Sequence, residues 1–455
     1  MSLGADLAAF AGAAALGYVA LEGGARRGAE APHGGRRLRK RSVLANGGFA
    51  GPGYGLEFRR APAGVELGMA ARFPVRLYPR DSVVVFGPTQ SFKTSALVAP
   101  AIRAFPGAVV ATSVKEDILP AARSGRLPES VLVFDPYGVG ESGNCHWNPL
   151  LPGMSDAEAR HLAAVICQRP ASGLEDSEFW TALAAKLLHP LLWAAAALGA
   201  YLGTVREWVE ARDFRTPSEA LLAGSNEDAM SALASSLDRE ERQLSSVLTT
   251  LERLLEPFVA GTAPGGNLNA RQFSGDAGTA LCLLAPPNRQ AEAGPLFGAV
   301  LRLLLDDAFA SPPRRGMLLA LDEAANCAPI PNLDEIISVI AAYGVQAITV
   351  FHDYAQARAR YGERASTLVN NHRAKLFLSG ISDPETLALA ETLCGSTGGL
   401  GGDEALMPRG GLRSLTPGRG LLIYGHRRPV LVRLNRRQDS SGRFSLRALL
   451  PIPRS

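Results

Sequence analysis

The stretch VVVFGPTQSFKTS, Val83 to Ser95, limits what this chain can fold into more than any other. A β-rich apolar run ends in Gly87, a short loop follows, and Lys93-Thr94 opens an alanine-containing, helix-like segment. The order is strand, phosphate loop, helix, which is the layout of a nucleoside-triphosphate site built on a parallel sheet. Backbone N–H groups of Gly87, Pro88, Thr89, Gln90, Ser91, Phe92, Lys93, Thr94 and Ser95 (proline excepted) would cradle phosphate oxygens, and the helix N-terminus adds partial positive charge. Lys93 would reach the β- and γ-phosphates of ATP, and the Thr94 hydroxyl would hold Mg²⁺. The pattern G-x-x-x-x-G-K-[ST] wants glycine where this chain has Phe92. If that position needs a left-handed backbone, a β-carbon there costs about 1–2 kcal/mol, or roughly a tenfold loss of nucleotide affinity. The competing reading is an ordinary strand–turn–helix with a chance Lys-Thr.

A second motif answers the first. In MLLALDEAANCAPIP, Met317 to Pro331, an apolar strand pattern runs into Asp322-Glu323. Opposite a phosphate loop, Asp322 would hold the Mg²⁺ shell through water and Glu323 would polarise the attacking water as general base. The plainer reading is an Asp that caps the next helix.

The 455 residues are enough for two or three domains, and 47% hydrophobic with 20% charged residues is an ordinary globular balance. Five cysteines, none in a C-x-x-C pair, read as reduced core thiols with no metal site. The net charge of +4 hides polarity along the chain. Residues 1–80 carry twelve Arg/Lys against five Asp/Glu, 155–265 nine against sixteen, and 395–455 eleven against three. Basic ends suit nucleic acid or anionic lipid and an acidic block suits protein contact, unless each is merely solvated surface.

Leu3–Leu21 is apolar and about long enough to cross a bilayer, and the flank Arg26, Arg27 and Arg36–Arg41 predicts a cytoplasmic bulk. Asp6 and the glycines weaken it; a flexible tail, with the basic run as a phosphate-binding arm, is the alternative. The expected organisation is a transmembrane segment over 1–27 and a basic linker with entry strands over 28–80, such as Gly55–Phe58 and Val75–Tyr78. A motor domain over 81–154 and 266–435, an all-α insert over 155–265 and a tail over 436–455 complete it. Buried-strand patterns at Ala108–Thr112, Val131–Asp135, Thr279–Ala285, Val345–Phe351 and Ala374–Ser379 alternate with helices, which predicts a mostly parallel sheet. Leu421–Tyr424 and Val430–Leu434 read as terminal strands. Helical spacing dominates His161–Ile166, Trp180–Trp193 and Leu244–Leu255. Trp180–Leu198 reads as a buried core helix because Lys186, His189 and Pro190 interrupt it. Gly395–Gly411 reads as a mobile glycine-rich loop.

Four strings coincide with one family: GPTQSFKTS, FDPYG followed by Trp147–Leu150, the LDEAANCAPIPNL run, and NHRAKLFLSGISDPET (Asn371–Thr386). Together they resemble the type IV secretion coupling proteins, the TraG/TraD-like conjugation ATPases, in an actinobacterial form. The resemblance covers about Val83 to Gly395 and flanks the helical insert. It implies an α/β fold: a RecA-like P-loop NTPase with an all-α insert, assembled as a membrane-anchored homo-hexamer. It implies a motor at the inner membrane, single-pass with its catalytic part in the cytoplasm, that recruits a relaxase–DNA complex and drives single-stranded DNA toward a type IV secretion channel.

Residue by residue, Lys93 and Thr94 match its Walker A positions and Asp322 and Glu323 its Walker B positions. The family tends to carry glutamine where this chain has His352, which as a γ-phosphate sensor would serve less well than glutamine and could equally be a surface histidine. In a ring, a neighbour's arginine would stabilise transition-state charge, with Arg373 or Arg289 as candidates. Two readings stand beside the ATP-driven motor. One is a nucleotide-binding but non-hydrolysing receptor with a degenerate Walker A. The other is an FtsK-type double-stranded DNA translocase, which the long helical insert argues against.

Overall fold

The computed structural model describes residues 64–71, 73–168, 175–268, 278–396 and 406–434. The expected membrane segment Leu3–Leu21, the strand Gly55–Phe58 and the tail over 436–455 lie outside them.

The organising strand is β3 (Val83–Phe86), whose four residues are all buried, as a strand covered on both faces requires. Around it run β1 (Glu66–Ala70), β2 (Phe73–Arg76), β4 (Ala108–Ser113), β5 (Val131–Phe134), β6 (Ala280–Leu284), β7 (Met317–Leu321), β8 (Val345–Phe351), β9 (Ala374–Leu378), β10 (Arg419–Tyr424) and β11 (Val430–Arg433). They form one eleven-stranded sheet in the order β2-β1-β11-β10-β9-β3-β8-β7-β4-β6-β5. From β9 to β5 every pairing is parallel. From β9 outward to β2 every pairing is antiparallel. The sheet is the mostly parallel one that the alternating strand patterns predict.

Successive side chains of a strand face opposite sides, so the sheet has two cores. Val84, Phe86, Leu281 and Leu319 point into one, with the helix Gln290–Ala310 and the helices that follow β5. Val83, Val85, Val109 and Ala111 point into the other, under the helical turns Thr94–Val98 and Ala99–Ala104.

Between β5 and β6 the described chain is helical: Asp156–Cys167, Glu175–Ala197, Leu202–Ala211, Arg215–Ala223, Glu227–Leu237 and Glu241–Val259. Ser155 and Glu158 start the first with a reciprocal capping box. The second is the apolar run read as a core helix; Leu187, Leu188, Leu191 and Leu192 are fully buried, and His189 Nε2 meets Asp156 Oδ1 at 2.6 Å. Among the described residues no helix is long and apolar enough to cross a membrane. All five cysteines are buried.

Two sequence expectations need correction. The strand expected at Val75–Tyr78 lies at Phe73–Arg76 and pairs with β1, which the sequence reading missed. Part of the stretch expected as a loop over Gly395–Gly411 is helical, since Arg409 begins the short helix Arg409–Arg413.

Candidate nucleotide site

The parallel strands β3, β7 and β8 end side by side, and each delivers one part of a polar cluster. β3 leads into the loop from Gly87. A β-carbon at Gly87 would sit 2.6 Å from Ser91 Oγ and 2.8 Å from Leu378 Cδ1, so only glycine lets the loop fold back here. Gln90 and Phe92 both take left-handed backbone, φ +67° and +66°. Phe92 thus occupies the conformation that glycine would adopt freely, as the sequence argument supposed. A chain that alternates in this way turns successive N–H groups toward one side, which makes an anion-binding concavity.

Lys93 turns inward and is nearly buried. Its ammonium donates to Gly87 O at 3.1 Å, meets His352 Nδ1 at 3.0 Å and lies 3.4 Å from Glu323 Oε1. Thr94 Oγ1 donates to Asp322 Oδ2. The loop after β3 and the acidic pair therefore meet in one polar cluster. The plainer reading of Asp322 as a helix cap is set aside: Glu323 is the N-cap of Ala324–Cys327, with no side-chain cap bond, while the Asp322 side chain goes to Thr94. Glu323 has φ +57°, a left-handed turn that swings its carboxylate toward Lys93.

His352, just past β8, is more central than a surface histidine. It bridges Lys93 and Glu323, with Nε2 at 2.8 Å from Glu323 Oε2. An ammonium can only donate, so Nδ1 accepts and Nε2 carries the hydrogen it gives to Glu323. Gln356 Oε1 accepts from the His352 backbone N–H at 2.9 Å and fixes its approach.

Burial would raise the Glu323 carboxyl, but the His352 hydrogen bond and the Lys93 charge outweigh it and hold Glu323 below its usual range. Asp322 goes the other way. Burial pushes it up to about 6, against the opposing hydrogen bond from Thr94.

Two buried oxygens of these segments, Ser91 Oγ and Asp322 Oδ1, have no hydrogen-bond partner. A buried polar atom left unpaired costs free energy, and these two are the kind that phosphate and a hydrated divalent cation satisfy. The donor set, one hydroxyl and one carboxylate beside a buried ammonium, fits Mg²⁺ held on a triphosphate.

Thr112 was missed by the sequence reading. Its hydroxyl donates to the Asp322 carbonyl at 2.8 Å and fixes the turn after β7. The available signal was the pair of hydroxyl residues, Thr112 and Ser113, that ends the otherwise apolar strand β4.

The candidate arginines lie outside the pocket. Arg373 precedes β9, at the opposite edge of the sheet, with Nε 3.7 Å from Asp81 Oδ2. Arg289 follows β6 on the same edge as Lys93 and pairs with Glu292 at 2.8 Å.

The model of the family described as "Type IV secretory system Conjugative DNA transfer" matches residues 68–398. A conjugal transfer protein TraG of Escherichia coli is 26% identical over 356 residues, 70% of this chain and 55% of its own length. A second Escherichia coli TraG is 25% identical over 361 residues. The chain thus spans about half the length of these relatives. Among solved structures, the unbound bacterial conjugative coupling protein TrwBdeltaN70 superposes with a TM-score of 0.68 at 18% identity, covering 86% of this chain and 93% of that one. TrwB with a non-hydrolysable ATP analogue gives 0.68 at 19% identity, covering 84% and 93%. That likeness fixes the fold as the RecA-like P-loop NTPase type. With a family model covering most of its length, the chain belongs to the type IV secretory system conjugative DNA transfer family.

Proposed function

We propose that this chain is an ATP-binding motor of conjugative DNA transfer. It recruits a relaxase–DNA substrate and drives single-stranded DNA toward a type IV secretion channel. One observation carries the reading: Lys93, Thr94, Asp322, Glu323 and His352 converge on one pocket from three adjacent strand ends. The coupling protein TrwB has been solved with ADP and Mg²⁺, which favours the same cofactors here.

In this reading the loop Gly87–Ser95 holds the phosphates and Lys93 neutralises their charge. Thr94 and, through water, Asp322 would hold Mg²⁺, and the ion would supply positive charge to the phosphate oxygens. Glu323 takes the proton of the attacking water, and His352, donating to Glu323 Oε2, orients it. The ammonium of Lys93 lies within reach of both Glu323 and the Gly87 carbonyl, so it can exchange those contacts for phosphate without moving the helix. Assembly as a ring would add a neighbour's arginine. Arg289, which follows β6 at the strand ends that carry Lys93, fits that role better than Arg373, which precedes β9 at the other end of the strands. Leu3–Leu21 would anchor the chain in the cytoplasmic membrane.

A second reading, a receptor that binds nucleotide without hydrolysing it, is favoured by Phe92 in left-handed backbone. ATP hydrolysis measured with and without single-stranded DNA separates the two. DNA-stimulated turnover that falls about 10²–10⁴-fold in Lys93→Ala and Glu323→Gln supports the motor. Equal turnover in all three proteins overturns it.

A further inference from the structure

A second cavity lies where the helical segment meets the motor core. It measures about 650 Å³ and opens between the end of Asp156–Cys167, the helix Glu241–Val259, the first half of Gln290–Ala310 and the turn after Glu323. That is the size of a ligand cavity. Its polar lining is Arg253, Arg302, Arg360, Gln168, Gln290 and Asn326, and the remaining wall is proline, glycine and aliphatic side chains. Neither an Asp or Glu nor an aromatic side chain is among these lining residues.

Arg302 has a counter-ion of its own, Asp306 at 3.0 Å. Arg253, an exposed residue, and Arg360, a partly buried one, make no ion pair among the described residues, and only Arg360 has a buried guanidinium nitrogen, Nε, without a hydrogen bond. A guanidinium cannot shed its proton to escape burial, so an enclosed one without a partner raises the free energy of the site until an anion arrives. Without an aromatic ring the cavity has no platform on which a nucleobase would stack. Three side-chain amides beside the arginines instead match the donors and acceptors of a peptide backbone.

We propose that this cavity binds a short acidic peptide segment, its carboxylates on Arg253 and Arg360 and its apolar side chains against the prolines. The segment would also reach the nucleotide site. Arg360 lies near the end of the helix Tyr354–Tyr361, which begins two residues after His352. Asn326 donates its backbone N–H to the Glu323 carbonyl at 2.9 Å. A peptide bridging Arg360 and Asn326 ties together the two chain segments that leave β7 and β8, directly behind the His352–Glu323 pair. The coupling to turnover rests on the ATP reading above; the binding does not.

The test is fluorescence anisotropy of a fluorescein-labelled Leu-Glu-Glu-Leu-Glu-Glu peptide titrated with the full chain. Saturable binding is expected, weakened about tenfold or more by Arg253→Gln and by Arg360→Gln, one charge-assisted contact each. Arg215→Gln, an exposed residue of the same helical segment, leaves it unchanged. Arg360→Lys keeps the charge and part of the affinity, and matched melting temperatures exclude unfolding as the cause. No binding, binding indifferent to Arg360→Gln, or displacement by inorganic tripolyphosphate as effective as by unlabelled peptide overturns the proposal. Peptide that binds as expected while ATP turnover stays the same overturns the coupling alone, whereas absent turnover with intact binding counts against the ATP reading.

Discussion

Two histidines, His352 and His372, stand near opposite ends of β8 and β9, the two strands that flank β3, and are used in opposite ways. His372 is fully buried below β9, where Nδ1–H donates to Leu368 O at 2.8 Å and Nε2 accepts from Thr349 Oγ1 at 2.9 Å. Both nitrogens are satisfied by groups that do not ionise, so burial pushes the imidazole down to about 4 and keeps it neutral. His352 lies between an ammonium and a carboxylate, in a cluster where Ser91 Oγ and Asp322 Oδ1 have no partner. One environment is complete without a ligand and the other is not. Saturated hydrogen bonding marks a residue that holds the fold, and unspent polar capacity marks one kept for something else.

The largest effect expected from this contrast is in acid stability. The folded chain keeps His372 unprotonated down to about pH 4, while in the unfolded chain it takes up a proton near pH 6.5. Folded protein therefore binds fewer protons in that window, and stability falls as the pH is lowered through it, by about 3 kcal/mol in total. Urea midpoints of wild type and His372→Asn at pH 7.5, 5.5 and 4.5 check this. The variant starts lower at pH 7.5 and loses less on acidification; identical slopes would erase the distinction drawn here.

A smaller effect belongs to Phe92. Glycine at this left-handed position relieves about 1–2 kcal/mol, so Phe92→Gly tightens ATP binding about tenfold. Calorimetric titration with ATP reads it directly, and unaltered affinity would place the backbone cost elsewhere. The smallest effect is at His352. His352→Gln keeps a group able to donate to Glu323, leaves stability within about 0.5 kcal/mol and changes turnover only a few-fold. A loss of several kcal/mol there would put His352 in the same category as His372.

Much of the fold was legible because parallel strands covered on both faces read as unbroken apolar runs. Val345–Phe351 has the same limits by pattern and by structure. β1 escaped notice because Glu66 and Gly68 interrupt its apolar residues, as an antiparallel strand near the sheet margin permits. At the site, Lys93 and the acidic pair were legible from type and spacing. The bridging role of His352 was not, because it depends on which strands become neighbours. β3 and β8 pair directly although about 260 residues separate Lys93 from His352, and no local pattern records that. The inward carboxylate of Glu323 likewise depends on a left-handed turn that a glutamate does not advertise.

One consequence follows from Trp147. It bridges to both Thr262 and Leu268, so the backbone leaves for the helical segment and returns from it through one hydrogen-bonded neck. Length can be gained or lost beyond that neck without displacing the register of β5 on β6. The chain is built so that the helices beyond the neck can change over evolutionary time, while the strands that end at Lys93 and Glu323 keep their alignment.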